Sequence, residues 1–140
     1  MNFYHLKDMI EMNTGQGHIK ITGGSWNDKR IAFEAVSWFM ENKMEAHGQI
    51  MGGIDINVEI CTYDKYKCYG SCDITEDIWT PTSFEITVDK DQEIRDYVAT
   101  IMHEMIHARQ WVRNFTSNAG GEREAEKYQY QYTDEFMKEQ

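Results

Sequence analysis

The stretch Ala99-Thr100-Ile101-Met102-His103-Glu104-Met105-Ile106-His107-Ala108-Arg109-Gln110-Trp111 is the centre from which this chain can be read. Around and within it, Ile94, Val98, Ile101, Met105, Ala108 and Val112 recur at helical spacing. A period of about 3.6 residues gathers them on one stripe, which predicts an amphipathic helix from Asp89 or Asp91 to about Asn114. Asp91 and Glu93 in the first turn suit the positive end of the helix dipole. His103 points away from the apolar stripe and His107 skirts it, so both are free to face a cleft.

Side chains four residues apart on a helix stand one above the other. Two neutral imidazoles placed this way can share one Zn²⁺ at about 2.0–2.1 Å each. Glu104, about 100° round the helix from His103, can reach a water at the metal but is poorly placed to bind the metal itself. The pattern His103-Glu104-x-x-His107 therefore holds two ligand candidates and a general-base candidate within one turn. The competing reading is a solvent-facing helix that happens to carry two histidines, and the apolar stripe argues against it. A catalytic zinc site needs a third protein ligand and an open fourth position. No histidine follows His107, the others being His5, His18 and His47, which speaks against third-histidine architectures. The downstream carboxylates are Glu122, Glu124 and Glu126, with Asp134 further along. One of the three glutamates is expected to complete a His₂Glu site.

Upstream of this helix, Phe84, Ile86 and Val88 alternate with polar residues, as do Ile54, Ile56, Val58 and Ile60. Both runs read as strands with one wet face. Tyr66 to Ile74 is a less regular strand, weakened by Gly70, and Pro81 marks a break before the next one. The short connections predict an antiparallel three-stranded meander. Further back, Ile31, Ala35, Trp38, Phe39 and Asn42 predict a helix of roughly 28–47, capped by Asn27-Asp28 and closed by Gly48, with a turn at Gly52-Gly53. Residues 1–12, with Leu6, Met9 and Ile10, suit a short helix, and Ile19 and Ile21 a brief strand. After a connector over 115–121, a last helix from Glu122 to about Lys138 carries Ala125, Tyr128, Tyr132 and Phe136 on one stripe. The fold class expected is α+β: a helix, a meander and two final helices in one domain.

At 140 residues the chain is long enough to bury a core of its own. The start, Met1-Asn-Phe-Tyr-His5-Leu-Lys7-Asp8, lacks the apolar run of a signal peptide, and no stretch is long enough to span a membrane. Three cysteines, Cys61, Cys68 and Cys72, are an odd number and read as reduced thiols rather than a disulfide framework. A cytoplasmic location follows from these features. Cys68 and Cys72, four apart on a strand, lie about 13 Å from each other, too far to share a metal. The tyrosines of the last helix, the four Trp and the nine Met read as packing. A net charge of −10 repels nucleic acid and anionic lipid, and no Lys/Arg cluster offsets it, so neither partner is expected.

The segment Glu124-Ala-Glu-Lys-Tyr128, downstream of His-Glu-x-x-His, resembles the Glu-Ala-Asn-x-Phe segment of ImmA/IrrE-like gluzincins. In such families a small residue follows the ligand glutamate, and on that pattern the resemblance favours Glu124. Glu126 instead matches the spacing of the large gluzincin aminopeptidases, with eighteen residues between it and His107. It stands where the ImmA/IrrE pattern has Asn. Over residues 82–136 the chain resembles a minimal gluzincin metallopeptidase of the minigluzincin or ImmA/IrrE-like kind.

That resemblance implies a zinc-dependent metalloendopeptidase, with His103, His107 and Glu124 as zinc ligands and Glu104 as general base towards a metal-activated water. It also implies a protein or peptide substrate, held as an added strand along an exposed sheet edge, for which residues 66–75 are the candidate. The alternative is an acidic interaction or inhibitor protein whose metal site is structural or idle. The complete motif favours the enzyme, because a purely structural site has no use for Glu104.

Overall fold

The computed structural model describes residues 4–6, 9–44, 53–62, 69–74, 82–114 and 119–140. In chain order these form β1 (Tyr4–Leu6), β2 (Met9–Thr14), β3 (Gly17–Thr22), α1 (Trp26–Asn42), β4 (Ile54–Cys61), β5 (Gly70–Ile74), β6 (Ser83–Asp89), α2 (Ile94–Asn114) and α3 (Ala119–Lys138). The class is α+β, as expected. The strands build one six-stranded sheet in the order β1-β2-β3-β4-β6-β5.

The expected meander is not what forms. β4 runs parallel to β3 on one side and to β6 on the other, with Val58 opposite Ile21 and Ile86. β5 lies outside β6, antiparallel to it, as the edge strand. A period of two identifies a strand and its buried face, but it carries no information about the neighbour or its direction. Connection length does carry some. The segment 62–82 that joins β4 to β6 exceeds the dozen or so residues that a parallel crossover requires, and it includes β5.

The N-terminal segment also departs from expectation. Leu6, Met9 and Ile10 are spaced as on a helix, yet β1 and β2 are strands. Ile10 and Met12 alternate inward from β2, and Ile19 and Ile21 from β3. β2 and β3 close on a two-residue turn, Gly15-Gln16, with Thr14 paired to Gly17. The brief strand expected around Ile19 is therefore an interior member of the sheet, between β2 and β4.

Helix α1 begins two residues earlier than expected. Its cap is Ser25, whose hydroxyl accepts from the Asp28 amide while the Asp28 carboxylate accepts from the Ser25 amide, a reciprocal capping box. Ala32, Ala35, Val36, Phe39 and Met40 form its buried face, which lies on β2, β3 and β4. The expected close at Gly48 lies outside the described residues, as do Gly52, Cys68, Pro81 and residues 115–118.

Helix α2 rests on β5 and β6 and packs against α1 and, along its length, α3. It is therefore buried almost all round, with Val98, Ile101, Met102, Met105, Ile106 and Ala108 in the core. Ile94, expected on the buried stripe, is exposed at the start of the helix. On α3, Ala125, Tyr132 and Phe136 are buried and Tyr128 is half-buried, as the stripe predicted. Phe136 meets Trp38 edge-on, Tyr132 meets Phe39 the same way, and α3 is thereby tied to α1. The opposite face of the sheet carries Glu11, His18, Lys20, Asp55, Glu59 and Glu85, the wet face the alternation implied.

Ile86 tests the register directly. It is fully buried in β6, opposite Val58 on one side and Cys72 on the other. Ile86→Ala should cost about 2–5 kcal/mol in a urea melt, from lost transfer energy and the cavity left behind. A loss under about 0.5 kcal/mol, the range of surface substitutions, would place this residue outside the core.

Candidate metal centre

Packing sets the geometry here. α2 lies between the sheet and α3, so the residues it turns away from the core face the start of α3 and the β5 edge. His103 and His107 stand at adjacent turns and meet edge-on, with ring centroids 4.9 Å apart. Their side chains are 16% and 14% exposed, so they line a crevice instead of extending into solvent. The Nε2 atoms of both turn to one carboxylate, that of Glu122. Its Oε1 is 2.8 Å from His103 and its Oε2 is 3.1 Å from His107.

The carboxylate beside the imidazoles is thus Glu122, not Glu124. Glu124 turns to α2 lower down, where its Oε1 accepts from the Gln110 amide at 2.9 Å and lies 3.9 Å from the Arg109 guanidinium. Glu126 is exposed. The reason is helical phase. α3 begins at Ala119, and Glu122 extends the buried stripe backwards: 122, 125, 129, 132 and 136 are separated by three and four residues. Gln129, on the same stripe, reaches His103. That spacing was the signal available in the sequence, and the pattern of a small residue after the ligand pointed elsewhere.

Each Nδ1 faces an amide oxygen: His103 meets Gln129 Oε1 at 2.6 Å, and His107 meets Gln110 Oε1 at 2.9 Å. An amide oxygen only accepts, so each Nδ1 is the donor in these contacts and Nε2 is the nitrogen turned to Glu122. Oriented imidazoles with their outer nitrogens held by carbonyl-type oxygens are the usual supporting layer of a metal site. Neither glutamine stood out in the sequence.

His103, His107 and Glu122 each offer one ligand atom, all within 4.8 Å of one another. Ligand atoms on a tetrahedral zinc at 2.0–2.2 Å lie roughly 3.3–3.5 Å apart. The two nitrogen–oxygen contacts, at 2.8 and 3.1 Å, lie a few tenths of an ångström inside that spacing. Two nitrogens and one oxygen are the donor set zinc takes in open, three-ligand sites. The residues fit the ion.

Glu104 is buried, at 7% exposure. Burial, then the charges of Glu122 and Asp73, pushes its carboxyl up to about 8. A divalent cation beside it would act in the opposite sense and favour the carboxylate. Its Oε2 lies under Gly70 of β5, where an added Cβ would stand 3.1 Å from it and 2.6 Å from Thr100. Gly70, which had seemed to weaken a strand, is what lets the edge strand descend onto the helix at this point. Cys72 shares the neighbourhood. Burial, together with Glu104 and Asp73, raises its thiol well above the usual range and keeps it protonated.

A cleft of about 450 Å³ opens from His103 and Glu104 between β5 and α3. Tyr69 and Gly70 form one wall, Gln129 and Tyr130 the other, and no Lys or Arg is among its described lining residues. Tyr130, expected as packing, donates to Asp96 at 2.7 Å within this cleft.

No described helix is long and apolar enough to cross a membrane. Compared with models of protein families, with curated proteins and with solved structures, the chain matches none.

Proposed function

We propose that this chain is a zinc-dependent metallopeptidase of the gluzincin type, with His103, His107 and Glu122 as the protein ligands. The observation that carries the reading is the convergence of two imidazole nitrogens on one carboxylate, beside a buried Glu104 at the mouth of a cleft. Zinc held there supplies Lewis acidity and brings the pKa of a water near neutrality. Glu104, next in sequence to His103 and shielded from bulk water, takes the proton of the attacking water and delivers it to the leaving amine. Tyr69 and Tyr130 are the described tyrosines lining the cleft, and the Tyr130 phenol would have to give up its bond to Asp96 to donate to a developing oxyanion. β5, the edge strand among the described residues, reaches the same opening at Gly70, and an extended peptide chain would add alongside it.

Metal analysis tests the reading at its base. The purified wild-type chain should carry about one zinc, and His103→Ala should lower that towards zero, because one lost ligand leaves the site two-coordinate. Metal content unchanged in His103→Ala would overturn the site.

A further inference from the structure

Gln110 and Glu124 are polar groups beside the centre that the proposed chemistry does not use. Gln110 is buried, one turn beyond His107 on α2. Its amide nitrogen donates twice, to the Gly121 carbonyl at 2.8 Å and to Glu124 Oε1 at 2.9 Å. Both amide hydrogens are thereby committed, so the amide cannot turn over without losing two bonds, one of them to a charged acceptor. Its oxygen is left facing His107 Nδ1 at 2.9 Å. Steric contact closes the clamp from the other side. A Cβ at Gly121 would stand 2.7 Å from Gln110 Oε1, so a larger residue there would push the amide aside.

We infer that Gln110, held by Glu124 and the Gly121 carbonyl, is a positioning residue that sets the orientation and tautomer of His107 and thereby the affinity of the centre for zinc. The inference rests on the metal reading proposed above. With the amide oxygen fixed as an acceptor, His107 must keep a hydrogen on Nδ1, and Nε2, turned to Glu122, is the nitrogen that a cation would take. Glu124, which a sequence pattern suggested as a ligand, acts one layer further out. Its charge, with the buried Arg109 guanidinium 3.9 Å away, orients the amide that orients the ring.

The test compares zinc affinity, by competition with a chromophoric chelator, in the wild type, Gln110→Met and Glu124→Ala. It is paired with the ¹H–¹⁵N spectrum of the zinc-loaded proteins. In the wild type the His107 Nδ1–H should appear as a hydrogen-bonded resonance protected from solvent exchange. Gln110→Met, similar in length but offering no strong acceptor, should lose that protection and bind zinc about 10–100-fold more weakly. Glu124→Ala should weaken zinc severalfold, since one amide hydrogen is released. Should Gln110→Met fail to fold, Glu124→Ala decides alone. Affinities within twofold of wild type, with the Nδ1–H still protected, would overturn the clamp while leaving the metal reading intact. A wild type that binds no zinc at all would overturn both.

Discussion

Glu104→Gln should lower the rate of peptide hydrolysis by about 10²–10⁴-fold, the usual contribution of a positioned general base, while zinc remains at about one per chain. The amide has the size of the carboxyl but cannot accept a proton, and the two imidazoles and Glu122 are left in place. Nor should the fold suffer. The carboxyl is buried near Glu122 and Asp73, and both burial and those charges oppose its ionised form. A neutral side chain there removes a repulsion, so the metal-free variant should melt no lower than the wild type. Turnover of an unfolded protein or a quenched fluorescent peptide, measured beside zinc content, checks both halves. Full activity in the variant would remove Glu104 from the role of base. A wild type that holds zinc and cleaves nothing would point to the other class of function, an acidic interaction protein with an idle centre.

Removing Glu122, the proposed third ligand, should have the next largest effect. Glu122→Ala should weaken zinc binding by more than the roughly 10–100-fold that loss of a supporting partner costs, because a coordinate bond is lost. Glu124→Ala should weaken it less, and Glu126→Ala not measurably, since that side chain is exposed on α3. The series separates proximity from pattern. Glu122 is half exposed, at 50%, so alanine there creates no core cavity and a loss of zinc cannot be blamed on unfolding. If Glu124→Ala abolished binding and Glu122→Ala left it whole, the coordination expected from helical phase would be wrong.

The histidine pair, Glu104 and the helix that carries them were legible because all three depend on local periodicity. A spacing of four on α2 puts the two rings on one face whatever the rest of the chain does, and the apolar stripe secures the helix. The strands from Ile54 and Phe84 and the tyrosine stripe of the last helix were legible for the same reason. Where competing periods coexist in a short segment, reading fails. Leu6, Met9 and Ile10 fit a helical turn, but Ile10 and Met12 are drawn inward beside Ile19 and Ile21 in a sheet that no local pattern announces.

By itself, the sequence determined the α+β class, the motif helix and the set of three glutamates from which one could join the histidines. The tertiary structure decided the parallel pairing of β4 with β3 and β6, and placed Glu122 against the imidazoles while sending Glu124 to Gln110. The physical reason is common to both. Strand partnership and the carboxylate reaching a ring across two helices are fixed by how whole elements pack, and a rotation of about 100° per residue separates neighbouring glutamates. Gly70 and Gly121 take part in that packing, since at each an added Cβ would crowd side chains of α2 far away in the chain.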